Sequence, residues 1–298
     1  MKRPDLFIVG AFKAGTTSMY EYLRAHPQVF MSVPKEPTYF GADLSARYRR
    51  MSESEYLGLF RGARPDQRAG EATPWYLYST QAAAEIKAFE PAARIVIMLR
   101  NPVDVMFSQH SQLLFNQRED LVDFGAALEA EPDRLAGRRI PTGAIRPESL
   151  LYRTSVRFPE QVRRYLDVFG RDAVHFIVFD DLVADAPGVY RSILEFLDVD
   201  PNFPLDTTVY NANRGVRSGA MQRAIFAPPP ALRGLFGRLR RFPILHRVRD
   251  RLVSANSRPA ARQEMDPALR ATLLAEFAPQ VAELGEIIGR DLSAWSRA

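Results

Sequence analysis

Apolar positions along the chain change period repeatedly, and each change marks an element. Leu6–Val9 is a short continuous apolar run and reads as a buried strand. After it the spacing turns helical, with Met19, Tyr22 and Leu23 at i, i+3, i+4. Val29–Met31 reads as a short strand, Ser52–Phe60 and Ser79–Phe89 as helices, and Arg94–Leu99 ("RIVIML") as a buried strand. Asn101 then offers an N-cap, Pro102 an N1 residue and Asp104 an N3 acid, a capping-box-like start. The helix that follows runs to about Phe115, with Val103, Met106, Phe107 and Leu114 on one face. Glu148–Phe169 reads as helix with a break at Pro159. Val174–Phe179 reads as a strand, Val189–Leu197 as a helix and Ala268–Ile288 as a long amphipathic helix. Strands alternating with helices predict an α/β fold: a parallel sheet with helices on both faces, in a single domain. Pro228–Pro230 and the arginine-rich stretch after it depart from this pattern and read as an excursion, a basic helical lid at about 220–262.

Composition narrows the class. The chain has 298 residues, 46% hydrophobic, enough for one large core. No run approaches the roughly 18 apolar residues of a membrane span. The apolar stretch Leu6–Phe12 is too short for a signal h-region and is broken by Lys13. Without cysteine there is neither a disulfide framework nor thiolate chemistry. The expectation is a soluble cytoplasmic protein. The formal charge of +5 is unevenly spread: from Arg214 to Arg262 twelve arginines face one acid, Asp250. Such a block suits an anionic partner, a membrane surface or an anionic cofactor. Within it, residues 232–252 alternate leucine or phenylalanine with arginine, which fits a lid or a surface for lipids or polyanions. No nucleic-acid motif accompanies the charge.

The densest chemistry is in "FIVGAFKAGTTSMYEYL", starting at Phe7. Strand, glycine loop and helix in that order put loop amides at a helix N-terminus, where an anion is favoured. Gly10 and Gly15 keep the spacing of a triphosphate-binding P-loop, but its lysine belongs directly after the second glycine. Here position 16 is threonine and the lysine is Lys13, inside the loop.

Other stretches explain the displacement. "KAGTTS" at 13–18 and "RNPVDVMFS" at 100–108, with Arg100 eight residues before Ser108, resemble the 5′ and 3′ phosphate motifs of the PAPS-dependent sulfotransferases. "VPKEPTYF" at 33–40, "GEATPWYLYS" at 70–79, "FDDLVADAPGVYRSILEFLDVD" at 179–200 and "LGEIIGRDLSAW" at 284–295 resemble bacterial and carbohydrate-type members. The resemblance covers most of the chain apart from 118–145 and 220–262. It implies a P-loop-type parallel sheet, PAPS (3′-phosphoadenosine 5′-phosphosulfate) as donor, PAP as product and no metal.

It also implies roles. Lys13 is aimed at the bridge between the 5′-phosphate and the departing sulfonate, where negative charge develops. Ala14, Gly15, Thr16, Thr17 and Ser18 line the 5′-phosphate. Arg100 and Ser108 are expected to meet at the 3′-phosphate, although roughly 10–12 Å separates them along the chain axis; an arginine fork suits a dianion. The base that deprotonates the acceptor is expected to be Glu36, with Lys35 beside it, and Glu71 as runner-up. His110 is a weaker candidate. Where carbohydrate-type relatives often carry a lysine after the second glutamate, this chain has Ala72. Trp75 is either a core aromatic or an acceptor platform. Tyr152 and Arg217, with Arg214 as the alternative, are further candidates for the nucleotide site; the Arg-Lys-Gly sequence of cytosolic members is missing around "NANRGVRSG". The implied acceptor is a small molecule, carbohydrate or lipid carrying a hydroxyl or amine.

Two rival readings accompany this one. A P-loop kinase or nucleotidase could use Asp180 and Asp181, at the end of "HFIVF", to hold Mg²⁺. A relative that binds the nucleotide without chemistry is the other.

Overall fold

A computed structural model describes residues 2–45, 50–206, 214–216, 256–259 and 264–297. Its core is a five-stranded sheet in the order β2-β3-β1-β4-β5, built from β1 (Leu6–Gly10), β2 (Val29–Met31), β3 (Arg68–Ala72), β4 (Arg94–Leu99) and β5 (Val174–Val178). Every neighbouring pair is parallel. In β1 all five residues are buried, and in β4 all but Arg94 are, as expected of strands covered on both faces. The expected α/β class and the strands at Leu6, Val29, Arg94 and Val174 are therefore present.

β3 was not foreseen. Its sequence, RAGEA, has no β-branched or aromatic residue. It is a strand because Gly70 lets it lie against β1: a Cβ there would come within 3.0 Å of the Leu6 side chain. The pairing Phe7 with Glu71 and Ile8 with Ala72 brings an acidic residue into the middle of the sheet.

The helices are α1 (Thr16–Ala25), α2 (Glu53–Gly58), α3 (Ala82–Phe89), α4 (Pro102–Phe115), α5 (Phe124–Glu129), α6 (Glu131–Leu135), α7 (Tyr152–Ser155), α8 (Phe158–Phe169), α9 (Phe179–Ala184), α10 (Ala186–Phe196) and α11 (Pro267–Ile288). The helix expected from Ser52 begins one residue later, because Ser52 is its cap and Glu55 closes a capping box. α4 starts as expected, with Asn101 Oδ1 accepting from the Val103 amide at 3.0 Å. Asp104 does not close a box there; it pairs instead with Arg270 of α11 at 2.8 Å. Leu113 rather than Leu114 is the buried residue near the end of α4. The helix expected over 148–169 is three pieces: a 3₁₀ turn (Pro147–Leu150), α7 and α8. Pro159 sits in the first turn of α8, where a missing N–H costs no helical bond. α5 and α6 lie in a stretch to which the sequence reading assigned no element.

Chain contacts divide the protein into two compact units, one of Met1–Met106, Arg153–Tyr210 and Pro267–Ala298, the other of Phe107–Tyr152 and Asn211–Asp266. The first contains the whole sheet. The second contains α5, α6 and a two-stranded antiparallel ribbon of β6 (Arg214–Val216) and β7 (Ser257–Pro259). The arginine-rich segment 232–252 lies outside the described residues, as does Arg217. Among the described residues, no helix is long and apolar enough to cross a membrane.

Candidate active site

The first unit gathers its reactive residues at the carboxyl ends of the strands. β1 is central, and the chain leaves it toward β2 and β3 on one side before crossing to β4 on the other. The crevice between β1 and β4 is thus a topological switch point, where open α/β sheets bind ligands.

The loop after β1 is built by two backbone choices. Lys13 and Gly15 both have positive φ, 62° and 88°. Gly15 is the N-cap of α1 and lends no side chain to the cap, so the first-turn amides of Thr16, Thr17 and Ser18 face an open end. Thr16 is buried; Thr17 and Ser18 are half-buried. A Cβ on Gly10 would come within 2.4 Å of Leu77, so the loop can leave the strand only through a glycine.

Arg100 follows β4 directly and reaches across the switch point. Its Nη1 donates to the Lys13 carbonyl at 3.1 Å, and its guanidinium lies 4.5 Å from the centre of the Phe179 ring. Asp104 Oδ2 is 4.0 Å from Nη2. The Arg100–Asp104 pair is thus only a long contact, and Arg270 holds the other oxygen of that carboxylate at 2.8 Å. Two cationic residues and one helix N-terminus therefore meet at one edge, which fits a phosphate-bearing ligand.

The 33–40 segment crosses the end of β3, the Glu36 amide donating to the Ala72 carbonyl at 3.2 Å. Glu36 has a φ of 61° and its side chain is 46% exposed; Lys35 Nζ pairs with it at 2.7 Å. It is an accessible carboxylate with an adjoining cation. Glu71 is the opposite case. It is 0% exposed and accepts from Tyr56 Oη at 2.6 Å, Tyr76 Oη at 3.1 Å and Thr73 Oγ1 at 2.7 Å. Burial pushes its carboxyl up to about 7, against the three hydroxyls, and nearby Glu36 adds to the rise. With no exposed surface it is not a base for an external acceptor. Trp75 is half-buried, stacked on Phe12 at 4.7 Å and edge-on to Tyr78 at 5.7 Å.

Three expectations change. His110, in the second unit, is buried among Phe124 and Tyr152, its Nε2 2.8 Å from the Leu121 carbonyl; burial lowers its pKa, and it packs the core. Tyr152 is buried too, its hydroxyl donating at 2.7 Å to Glu119, which Arg134 also holds at 2.7 Å. It ties the second unit together rather than standing open. Asp180 and Asp181 open α9, but Asp180 accepts from Trp295 Nε1 at 2.5 Å and Asp181 pairs with Arg290 at 2.7 Å. Both carboxylates are engaged by the C-terminal segment, which removes the support for the kinase reading. Ser108 is half-buried on the part of α4 that belongs to the second unit. Sequence reasoning missed the hydroxyl shell around Glu71, for which "GEATPWYLYS" gave only composition, and Phe179 beneath Arg100.

Comparison with known proteins shows the family and the fold. The sulfotransferase domain family profile matches residues 3–214. A sulfotransferase from Alicyclobacillus acidocaldarius of known structure is 32% identical, with the whole of both chains covered and a TM-score of 0.75. Heparan sulfate glucosamine 3-O-sulfotransferase 3B1 of Mus musculus is 26% identical over 194 residues, 65% of this chain and 46% of that protein. The bifunctional heparan sulfate N-deacetylase/N-sulfotransferase 1 of Caenorhabditis elegans is 25% identical over 220 residues, 71% of this chain and 24% of that protein. The chain thus spans less than half the length of these two curated relatives.

Proposed function

The chain belongs to the sulfotransferase family, and from that premise we propose that it transfers a sulfonate from PAPS to a hydroxyl or amine of a carbohydrate acceptor. The observation that carries the proposal is the meeting of Lys13, Arg100 and the N-terminus of α1 at the β1/β4 switch point; the exposed carboxylate of Glu36 belongs to the segment that crosses the end of β3. When bound, PAPS supplies an activated sulfonate on a 5′-phosphate and a second phosphate at the 3′ position. The amides and hydroxyls of Gly15–Ser18 hold the 5′-phosphate. Arg100 holds the 3′-phosphate. The Lys13 ammonium counters the charge that grows on the leaving phosphate, where a fixed cation is worth most. Glu36 takes the proton of the acceptor at its exposed carboxylate. Lys35 orients that carboxylate through its 2.7 Å contact.

The acceptor class rests on the relatives, whose names specify heparan sulfate glucosamine or heparan sulfate. One is named an O- and the other an N-sulfotransferase, so the proposed acceptor atom is a hydroxyl oxygen or an amine nitrogen. Isothermal titration tests the donor: tight PAP binding without Mg²⁺ is expected, and binding of Mg-ATP with no PAP binding overturns the reading. Transfer of ³⁵S from PAPS to heparan sulfate oligosaccharides, but not to simple phenols, supports the carbohydrate acceptor; the reverse refutes it.

A further inference from the structure

Glu71 is a carboxyl group buried in the sheet whose partners among the described residues are hydroxyls, and burial bars it from the runner-up base role that the resemblance implied. Its hydrogen bonds lead to the loop that carries Glu36. The Tyr76 hydroxyl accepts from the Tyr39 amide at 2.9 Å and from the Phe40 amide at 3.2 Å. Those two bonds use both oxygen lone pairs, so the Tyr76 proton must point at Glu71 Oε1, 3.1 Å away. Tyr56 completes the frame from α2. It donates to the same carboxylate at 2.6 Å and stacks on the Tyr39 ring at 4.2 Å. The loop needs such support, because Glu36 and Thr38 both hold left-handed backbone, φ 61° and 53°. Non-glycine residues keep that conformation only where their surroundings enforce it.

We propose that Glu71 is a positioning residue: through the Tyr76 hydroxyl it fixes the backbone at Tyr39 and Phe40 and thereby the aim of Glu36. The proposal rests on the reading of Glu36 as the base. Three hydroxyls converge on Glu71, so its carboxyl oxygens are the acceptors that order them. Its charged neighbour is Glu36, with Lys35 in contact; Glu85 holds the Gly41 and Ala42 amides farther along the same loop. The phenols facing it are Tyr56, Tyr76 and, through its charge, Tyr165. The loop is thus held by two carboxylates, buried Glu71 through Tyr76 and half-buried Glu85 directly.

The test is Glu71→Gln and Tyr76→Phe in the whole chain. Glutamine keeps an acceptor for both tyrosines and an amide for Thr73, so Glu71→Gln is the variant sure to leave the shell filled. Hydrogen–deuterium exchange of peptides over 33–41 is read beside kcat with a heparan sulfate oligosaccharide as probe acceptor. Tyr76→Phe is expected to speed exchange there at least about tenfold and to lower kcat about 10- to 100-fold, the cost of misaimed catalytic groups. Glu71→Gln should do both more weakly, and PAP affinity should stay within twofold for each. Exchange unchanged over 33–41 in both variants overturns the proposal, as does a lower kcat with unchanged exchange. A fully active Glu36→Gln sinks the base reading instead, so the two failures are told apart.

Discussion

Glu71→Gln also makes a prediction about stability, and its sign is opposite to that of a structural residue. The folded carboxyl titrates at about 7 against an ordinary 4.5, so the native state binds the proton more tightly than the unfolded chain does. The contribution to stability is then fully present below about 4.5 and is lost as pH rises through about 7. Integrating between those two values, the group costs roughly 1 kcal/mol at pH 5 and roughly 3 kcal/mol at pH 8. Glutamine cannot ionise and escapes that cost. The difference in unfolding free energy between Glu71→Gln and the parent should therefore grow in favour of the variant by about 2.5 kcal/mol from pH 5 to pH 8. At about 2 cal/mol/K per residue of unfolding entropy, that is about 4 °C in Tm for a chain of this length. Thermal unfolding of both proteins without nucleotide, at the two pH values, measures it. A Tm difference that is the same at pH 5 and pH 8 would refute the burial argument. Together with a lowered kcat, the expected result would show a buried group held for its action at the cost of stability.

Three substitutions probe the rest of the edge. Lys13→Ala should lower kcat about 10²- to 10³-fold while PAP affinity measured by titration changes little; a near-normal kcat would remove the leaving-group role. Arg100→Ala should weaken PAP binding about 10- to 100-fold, the worth of a charge-assisted hydrogen bond, and an unchanged Kd would take it out of the nucleotide site. Glu36→Gln should abolish ³⁵S transfer and leave PAP titration as in the parent; retained turnover would move the base elsewhere.

What the sequence disclosed depended on whether the cause was local. β1, β4 and β5 are apolar runs, and the loop at 10–18 carries its own glycines, so both were legible. β3 was not, because what makes RAGEA a strand is the absence of a side chain at Gly70 opposite Leu6, a fact about two segments 64 residues apart in sequence. Glu71 could be named as an acid but not as a buried one. Its burial goes with Tyr56, fifteen residues earlier, and Tyr76, whose rings pack on Tyr39 and Phe40. Asp180 and Asp181 looked like metal ligands at the end of an apolar strand. Arg290 and Trp295, more than a hundred residues on, decide otherwise.

The displaced lysine follows from the same tertiary logic. A triphosphate loop sets its lysine after the second glycine and leaves the remaining charge to a metal ion held by carboxylates. In this chain the carboxylates that could hold one are tied to the C-terminal segment, and Asp104 at the start of α4 is tied to Arg270. Among the described residues, the cations brought to this edge are Lys13 and Arg100. Arg100 stands across the switch point from the loop and holds it by the Lys13 carbonyl, so the backbone that presents the ammonium is fixed by the residue expected to bind the distal phosphate. That coupling makes a further demand on the mutants: Arg100→Ala should lower kcat even at saturating donor, since Lys13 loses its support. If kcat at saturation is untouched, the 3.1 Å contact is incidental and the two cations act independently.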